Sequence, residues 1–363
     1  MFYYLSEWKD FFFGFNVFKY ITFRAAMAAV TTFIGCIVLG PPVTRFLKQK
    51  KIREYAKRDD CPDLDRFARS KQGIPTMGGL FVIGSILVSV LLWGNLGNRY
   101  VILTLGTCLY LAVLGMADDT AKLTYHNRRS RGLSARRKLL WQTLLAFFIG
   151  SYVYFNPDTS TTLRAPFLKQ VVIPLGILYL PFVAMVVIGT TNAVNLTDGL
   201  DGLAIGSILI VSSTLGLLCY LTGHIHFSEY LFIPYLKGTG ELTVFCAAIA
   251  GASLGFLWFN CYPATVFMGD TGSLALGGTL AVIAVLIKKE LLLILLGGVF
   301  VVEALSVILQ VGSFKLRRKR IFKVSPLHHH LQLCGWDEAK IIVRFWIVGI
   351  ILALLTLITL KVR

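Results

Sequence analysis

Ten stretches of about twenty mostly apolar residues constrain this chain more than anything else in it, because about twenty such residues in a helix span a bilayer core. They run at roughly 17–40, 75–94, 99–117, 139–155, 171–191, 203–222, 241–260, 272–287, 291–312 and 341–360. The chain is 56% hydrophobic and 15% charged, with a mean hydropathy of +0.70, values that a water-soluble domain rarely shows. The runs are continuously apolar and lack the alternation of a membrane barrel strand, so helix is the expected element. The expectation is an all-α polytopic membrane protein of about ten transmembrane helices, with residues 1–363 forming one integral membrane domain.

The aromatic cluster Phe2, Tyr3, Tyr4 and Trp8 to Phe15 reads as an interfacial belt, and no removable signal peptide is expected before the first span. The seven cysteines divide between spans (Cys36, Cys108, Cys219, Cys246) and three separate loops (Cys61, Cys261, Cys334). No disulfide framework or zinc spacing results.

A net charge of +17 raises nucleic acid as a partner, but in a polytopic chain the placement of the basic residues matters more than their sum. Twenty-five of the 36 Lys and Arg fall in three segments, Arg45 to Lys71, Lys122 to Lys138 and Lys315 to Arg344. Positive-inside bias makes these cytoplasmic and turns both termini outward, to the periplasm. The loops after the first, third, fifth, seventh and ninth spans then share one face, which collects Asp118 and Asp119, Asp198 and Asp201, Asp270, and His328 to His330. The outward loops around 156–170 and 223–240 are too short for a folded external domain.

Carboxylates beside hydrocarbon are costly unless compensated, and the loops around 192–202 and 261–272 carry three aspartates with no Lys or Arg. A hard divalent cation is the simplest remedy, and Mg2+ suits a few carboxylates plus substrate phosphates. The plainer reading is that Asp198, Asp201 and Asp270 cap helices beginning at Leu203 and Gly272. Asp118 and Asp119 precede Lys122 at i+4 and i+3, an arrangement open to a surface ion pair or to a base or metal ligand beside a phosphate-binding lysine. Lys71 to Gly79 is a glycine-rich turn into the second span. It reads either as an anion site of helix N-terminal amides or as a tight turn.

Successive residues on a helix point about 100° apart, so His328, His329 and His330 cannot all ligate one metal; after Ser325-Pro326-Leu327 they fit better as donors to a diphosphate or sugar. Glu303 is the one acid placed well inside a span, with Gln310 two turns on. Intramembrane acids default to function, and an interhelical hydrogen bond is the equal alternative.

Together, Ala117-Asp118-Asp119 with Lys122, the run from Asn192 to Ala204, the run from Phe267 to Gly278, and Pro326 to Trp336 resemble the bacterial phospho-N-acetylmuramoyl-pentapeptide transferases. The resemblance covers essentially the whole chain, with the triple-histidine segment as its discriminating part. It implies transfer of phospho-MurNAc-pentapeptide from UDP-MurNAc-pentapeptide to undecaprenyl phosphate, with Mg2+, in a ten-helix homodimer of the bacterial inner membrane. It further implies Asp270 as the main Mg2+ ligand, Asp118 as the base and Asp119 in support of either. Lys71, Thr76, Lys122, Lys138, Asn192, Asn195, Asp198 and His328 to His330 would surround the diphosphate and nucleotide. Phe267 would stack on the uracil, with Asn260 nearby. The match is weakest around His126 to Arg131, which makes Lys138 the least secure of these. A secondary transporter would instead show several embedded acids and repeat symmetry.

Overall fold

The computed structural model describes residues 1–8, 10–50, 52, 71–124, 132–156, 159, 161–164 and 172–361. Cys61 and the His126 to Arg131 segment lie outside them. Each of the ten apolar stretches contributes a long helix: α1 (Ile21–Gln49), α2 (Gly79–Trp93), α3 (Arg99–Thr124), α4 (Ala135–Phe155), α5 (Tyr179–Thr197), α6 (Leu203–Thr222), α8 (Leu242–Asn260), α9 (Gly269–Leu286), α11 (Gly298–Arg317) and α13 (Glu338–Ile358). Short helices α7 (Ile225–Leu231), α10 (Glu290–Leu296) and α12 (Leu327–Leu333) connect them. Eight of the long helices are apolar and long enough to cross a membrane; α2 is shorter, and α4 opens with Arg136, Arg137 and Lys138.

Helix α9 is the axis of the bundle: every residue from Asp270 to Leu286 is buried. α3, α5, α2 and α6 pack around it, and α1 lies along α8 on the flank. Small residues make this possible. A Cβ on Gly115 of α3 would sit 2.3 Å from the Asp270 carbonyl oxygen, and one on Gly79 of α2 would sit 2.3 Å from the Gly272 nitrogen. Without an oil–water driving force between helices in lipid, such close contact is what holds them together. The outward faces remain apolar: Ile34 and Val38 on α1, Phe148 on α4, Ile308 on α11 and Leu354 on α13 are all exposed.

Three local features depart from the sequence expectation. The stretch from residue 171 does not open as a helix: Val172–Pro174 pairs antiparallel with Thr162–Arg164, Leu163 opposite Ile173, and α5 begins only at Tyr179. Those β-branched residues are apolar enough to read as span, yet they suit a strand better. The span expected at 291–312 is broken at Gly297 into α10 and α11, where the Gly297-Gly298 pair is a poor helix former. Helix α1 runs nine residues past its expected end, through Pro41 and Pro42.

Candidate active site

Three helix termini meet at the end of the bundle where the acidic motifs fall. The C-terminal end of α3 brings Asp118, Asp119 and Lys122, the start of α9 brings Asp270, and the start of α4 brings Lys138. One turn of helix puts Lys122 Nζ 2.9 Å from Asp118, and the same ammonium reaches Asp270 at 2.9 Å and Asp119 at 3.6 Å. Lys138 Nζ bridges Asp118 at 3.0 Å and Asp270 at 2.6 Å. Asn195 Nδ2, on α5, donates to Asp270 at 3.0 Å and to the Ser273 hydroxyl at 2.8 Å. Gly132, with φ +84°, turns the chain so that the Leu133 N–H donates to Asp118 at 2.8 Å.

The two paired aspartates do different work. Asp119 accepts from the Asp270 and Thr271 backbone N–H groups at 3.1 and 2.9 Å and from the Thr271 hydroxyl at 2.8 Å. It therefore caps the N-terminus of α9 from another helix, where orphan amides and the helix dipole both favour a carboxylate. Asp118 instead faces the lysines. Asp270 is not the cap of a helix starting at Gly272: α9 begins at Gly269, so Asp270 lies inside its first turn.

One oxygen from each of Asp118, Asp119 and Asp270 lies within 4.8 Å of the others, a spacing that can hold a metal ion. The donor set fits a hard divalent cation: all oxygen and all carboxylate, with three negative charges against two ammoniums. Lys122 retains 41% side-chain exposure, so its long stem is free to give way to a cation.

A second network joins four loops beside the first. Lys71 Nζ donates to Asp201 at 2.6 Å and to Glu338 at 2.5 Å, and Asp201 also accepts the Ala264 N–H at 2.9 Å. Burial disfavours the Lys71 ammonium, but the Glu338 and Asp201 carboxylates outweigh that and hold its pKa above the usual lysine value. Lys71 is thus charged at neutral pH, and its ion pairs are complete there and weaken only as pH rises through that raised value. Asp201 does not cap α6, whose N-cap is Gly202 with no side-chain bond.

Asn260 locks the loop before α9, accepting the Gly202 N–H at 3.0 Å and donating to Val266 O at 2.8 Å. This sets the half-buried Phe267, whose ring centroid is 6.0 Å from Lys71 Nζ. The glycine-rich turn is not an anion site of free amides. The Gly78 and Gly79 N–H groups donate to the Phe267 and Met268 carbonyls, both at 2.8 Å, because the turn packs directly on the start of α9. Thr76 lies at the same junction, its hydroxyl 3.2 Å from a Cβ built on Gly269.

The histidines diverge, as their helix requires. His328 is fully buried and bonds Glu303 through Nδ1 at 3.0 Å, and His329 Nδ1 lies 2.9 Å from Gln332 Oε1. His330 turns away to accept the Lys323 N–H at 3.2 Å, so it does not join the other two. Asn192 also points aside, donating to Gln142 on α4 at 2.8 Å. Asp198 ends α5, half-buried. Sequence reading missed Glu338, Gln142 and Ser273; a lone acid opening a span offers no signal beyond a favourable helix start.

The fold and the site together define a polytopic helical membrane protein with a lysine-bridged carboxylate cluster where its helices end. Residues 101–288 match the model of glycosyl transferase family 4. Over 362 residues, 99% of each chain, this one is 52% identical to the phospho-N-acetylmuramoyl-pentapeptide-transferase of Thermodesulfovibrio yellowstonii. It is 52% and 50% identical to proteins of the same name from Geobacter sp. and Pelobacter propionicus, over 349 residues and 96% of each chain. The chain belongs to glycosyl transferase family 4 and, within it, to the phospho-N-acetylmuramoyl-pentapeptide-transferases.

Proposed function

We propose that this protein transfers phospho-MurNAc-pentapeptide from UDP-MurNAc-pentapeptide to undecaprenyl phosphate, giving lipid I and UMP. The carrying observation is the Asp118, Asp119 and Asp270 group with its two lysines, in a chain that matches the named transferases end to end. Lys71, Lys122 and Lys138, at the edges of two Lys/Arg-rich segments, lie at the site end, which supports a ten-span reading with this end cytoplasmic in a bacterial inner membrane. A soluble nucleotide substrate and a lipid acceptor both reach such a place.

Phosphoryl transfer between two anions asks the protein for positioning and charge neutralisation. Asp270 would hold Mg2+, which when bound neutralises charge developing on the diphosphate. Asp119 orients Asp270 by capping its helix. Lys122, Lys138 and Lys71 would move from carboxylate to phosphate oxygens as substrate enters, with Asn195, Asp198 and Thr76 at the edge of the same space. Asp118, which faces Lys122 and Lys138, would take the proton of the lipid phosphate for direct attack on the β-phosphorus. Phe267 presents a ring face beside Lys71 for a uracil. Asn192, Asn260 and His330 reach their neighbours rather than this space, so their part would be to hold it in shape.

The test is UMP release by the purified protein, with and without Mg2+ and each substrate. Release needing Mg2+, UDP-MurNAc-pentapeptide and undecaprenyl phosphate together supports the reading. Preference for UDP-N-acetylglucosamine would make it a sibling transferase, and a phosphorylated aspartate trapped without acceptor would replace direct attack by two steps. Light scattering on the same preparation reads the oligomeric state, for which a homodimer is expected.

A further inference from the structure

Glu303 has no place in the chemistry above, yet it is fully buried in α11, between neighbours Val302 and Leu305 that face outward. A carboxylate there is costly unless something answers it. Its Oε2 lies 3.0 Å from the His328 Nδ1 and accepts the His328 backbone N–H at 3.4 Å, while Oε1 has no hydrogen-bond partner among the described residues. With the proton between Oε2 and Nδ1 on the ring, Oε2 accepts from the imidazole and the backbone alike. This two-point grip fixes both the tautomer and the direction of the imidazole.

The other ring nitrogen, Nε2, is buried, has no partner among the described residues and lies against Gly199 in the Asn195 to Gly202 motif. A Cβ built on Gly199 would lie 2.3 Å from it, so only glycine lets the ring edge reach this backbone. A buried polar atom without a partner is costly, and a ligand seated on the turn would remove that cost.

We propose that Glu303 is a positioning residue for the transfer: it holds His328 by Nδ1 so that Nε2 meets the sugar-phosphate of the donor at the Gly199 turn. This rests on the reading of His328 as a substrate contact. It accounts for an acid in a span without making it an ion pathway.

UMP-release kinetics on full-length Glu303→Gln, His328→Asn and the double variant test it. Glu303→Gln should lower kcat about 10-fold or more with KM for the nucleotide changed less than about 3-fold, and the double variant should be no slower than His328→Asn. Multiplicative losses in the double variant, or Glu303→Gln at the wild-type rate beside a slow His328→Asn, would overturn the positioning role alone. His328→Asn at the wild-type rate would instead remove the reading beneath it. Should Glu303→Gln fail to fold, 15N spectra of histidine-labelled wild-type protein decide, with the His328 signal assigned by its loss in His328→Asn. A proton on Nδ1 is expected, and a bare Nδ1 would overturn the proposal.

Discussion

The two ends of the bundle hold charge in opposite ways. Away from the motifs, Arg24 and Glu241 form a bidentate pair with both contacts at 2.7 Å; Arg24 also donates to Trp93 O at 3.2 Å and stacks on Tyr3. About 28 Å of α8 away, at a 1.5 Å rise over its 19 residues, lie the site loops. There three carboxylates share two lysines, and the lysines keep part of their surface in solvent. The first arrangement is matched one to one and closed; the second is short of positive charge and open. A closed pair locks α1 to the start of α8. An open, unbalanced cluster waits for a cation or for an anion that carries one.

That contrast can be broken by substitution. Asp270→Asn should have the largest effect, lowering UMP release about 1,000-fold or more at any Mg2+ concentration. Near-normal turnover would remove Asp270 from the centre. Glu241→Gln leaves a buried guanidinium without its counter-charge and should cost about 3 kcal/mol in chemical denaturation, while turnover per folded molecule stays at the wild-type value. A loss of turnover without a loss of stability would erase the distinction between the ends.

Asp119→Ala falls between the two kinds. As the cap of α9 it should cost about 1–2 kcal/mol and lower turnover as well, because Asp270 rides on the turn that it holds. Stability unchanged with activity lost would show Asp119 acting on substrate directly. The smallest effect is expected from His330→Ala, below about 2-fold in UMP release, since that ring faces Lys323 and Cys334.

What the sequence told in advance follows the same divide. The polytopic helical class was legible because apolar length is a direct physical demand of the bilayer, and of the ten stretches read as spans eight carry helices long and apolar enough to cross it. Asp118, Asp270 and Lys122 were legible because charge beside hydrocarbon needs a reason; Asn195, which is uncharged, came only with the family resemblance. Asp119 as a helix cap was not, since its partner amides lie 151 and 152 residues away. Glu338 and Gln142 were not, since a lone polar residue near a span end looks like an ordinary boundary. Lys138, the weakest of the matched positions, lies at the centre of the cluster, because the start of α4 brings its Nζ to both Asp118 and Asp270. The break at Gly297 and the strand at Val172 escaped because hydropathy does not distinguish a bent helix or an apolar strand from a straight span.

The most direct measurement of the central claim is the shift in thermal midpoint on adding Mg2+ to three proteins in the same detergent. Wild type and Glu241→Gln should both be stabilised by Mg2+, to the same extent, whereas Asp270→Asn should show no shift. An equal shift in Asp270→Asn would contradict a cation site in the open cluster.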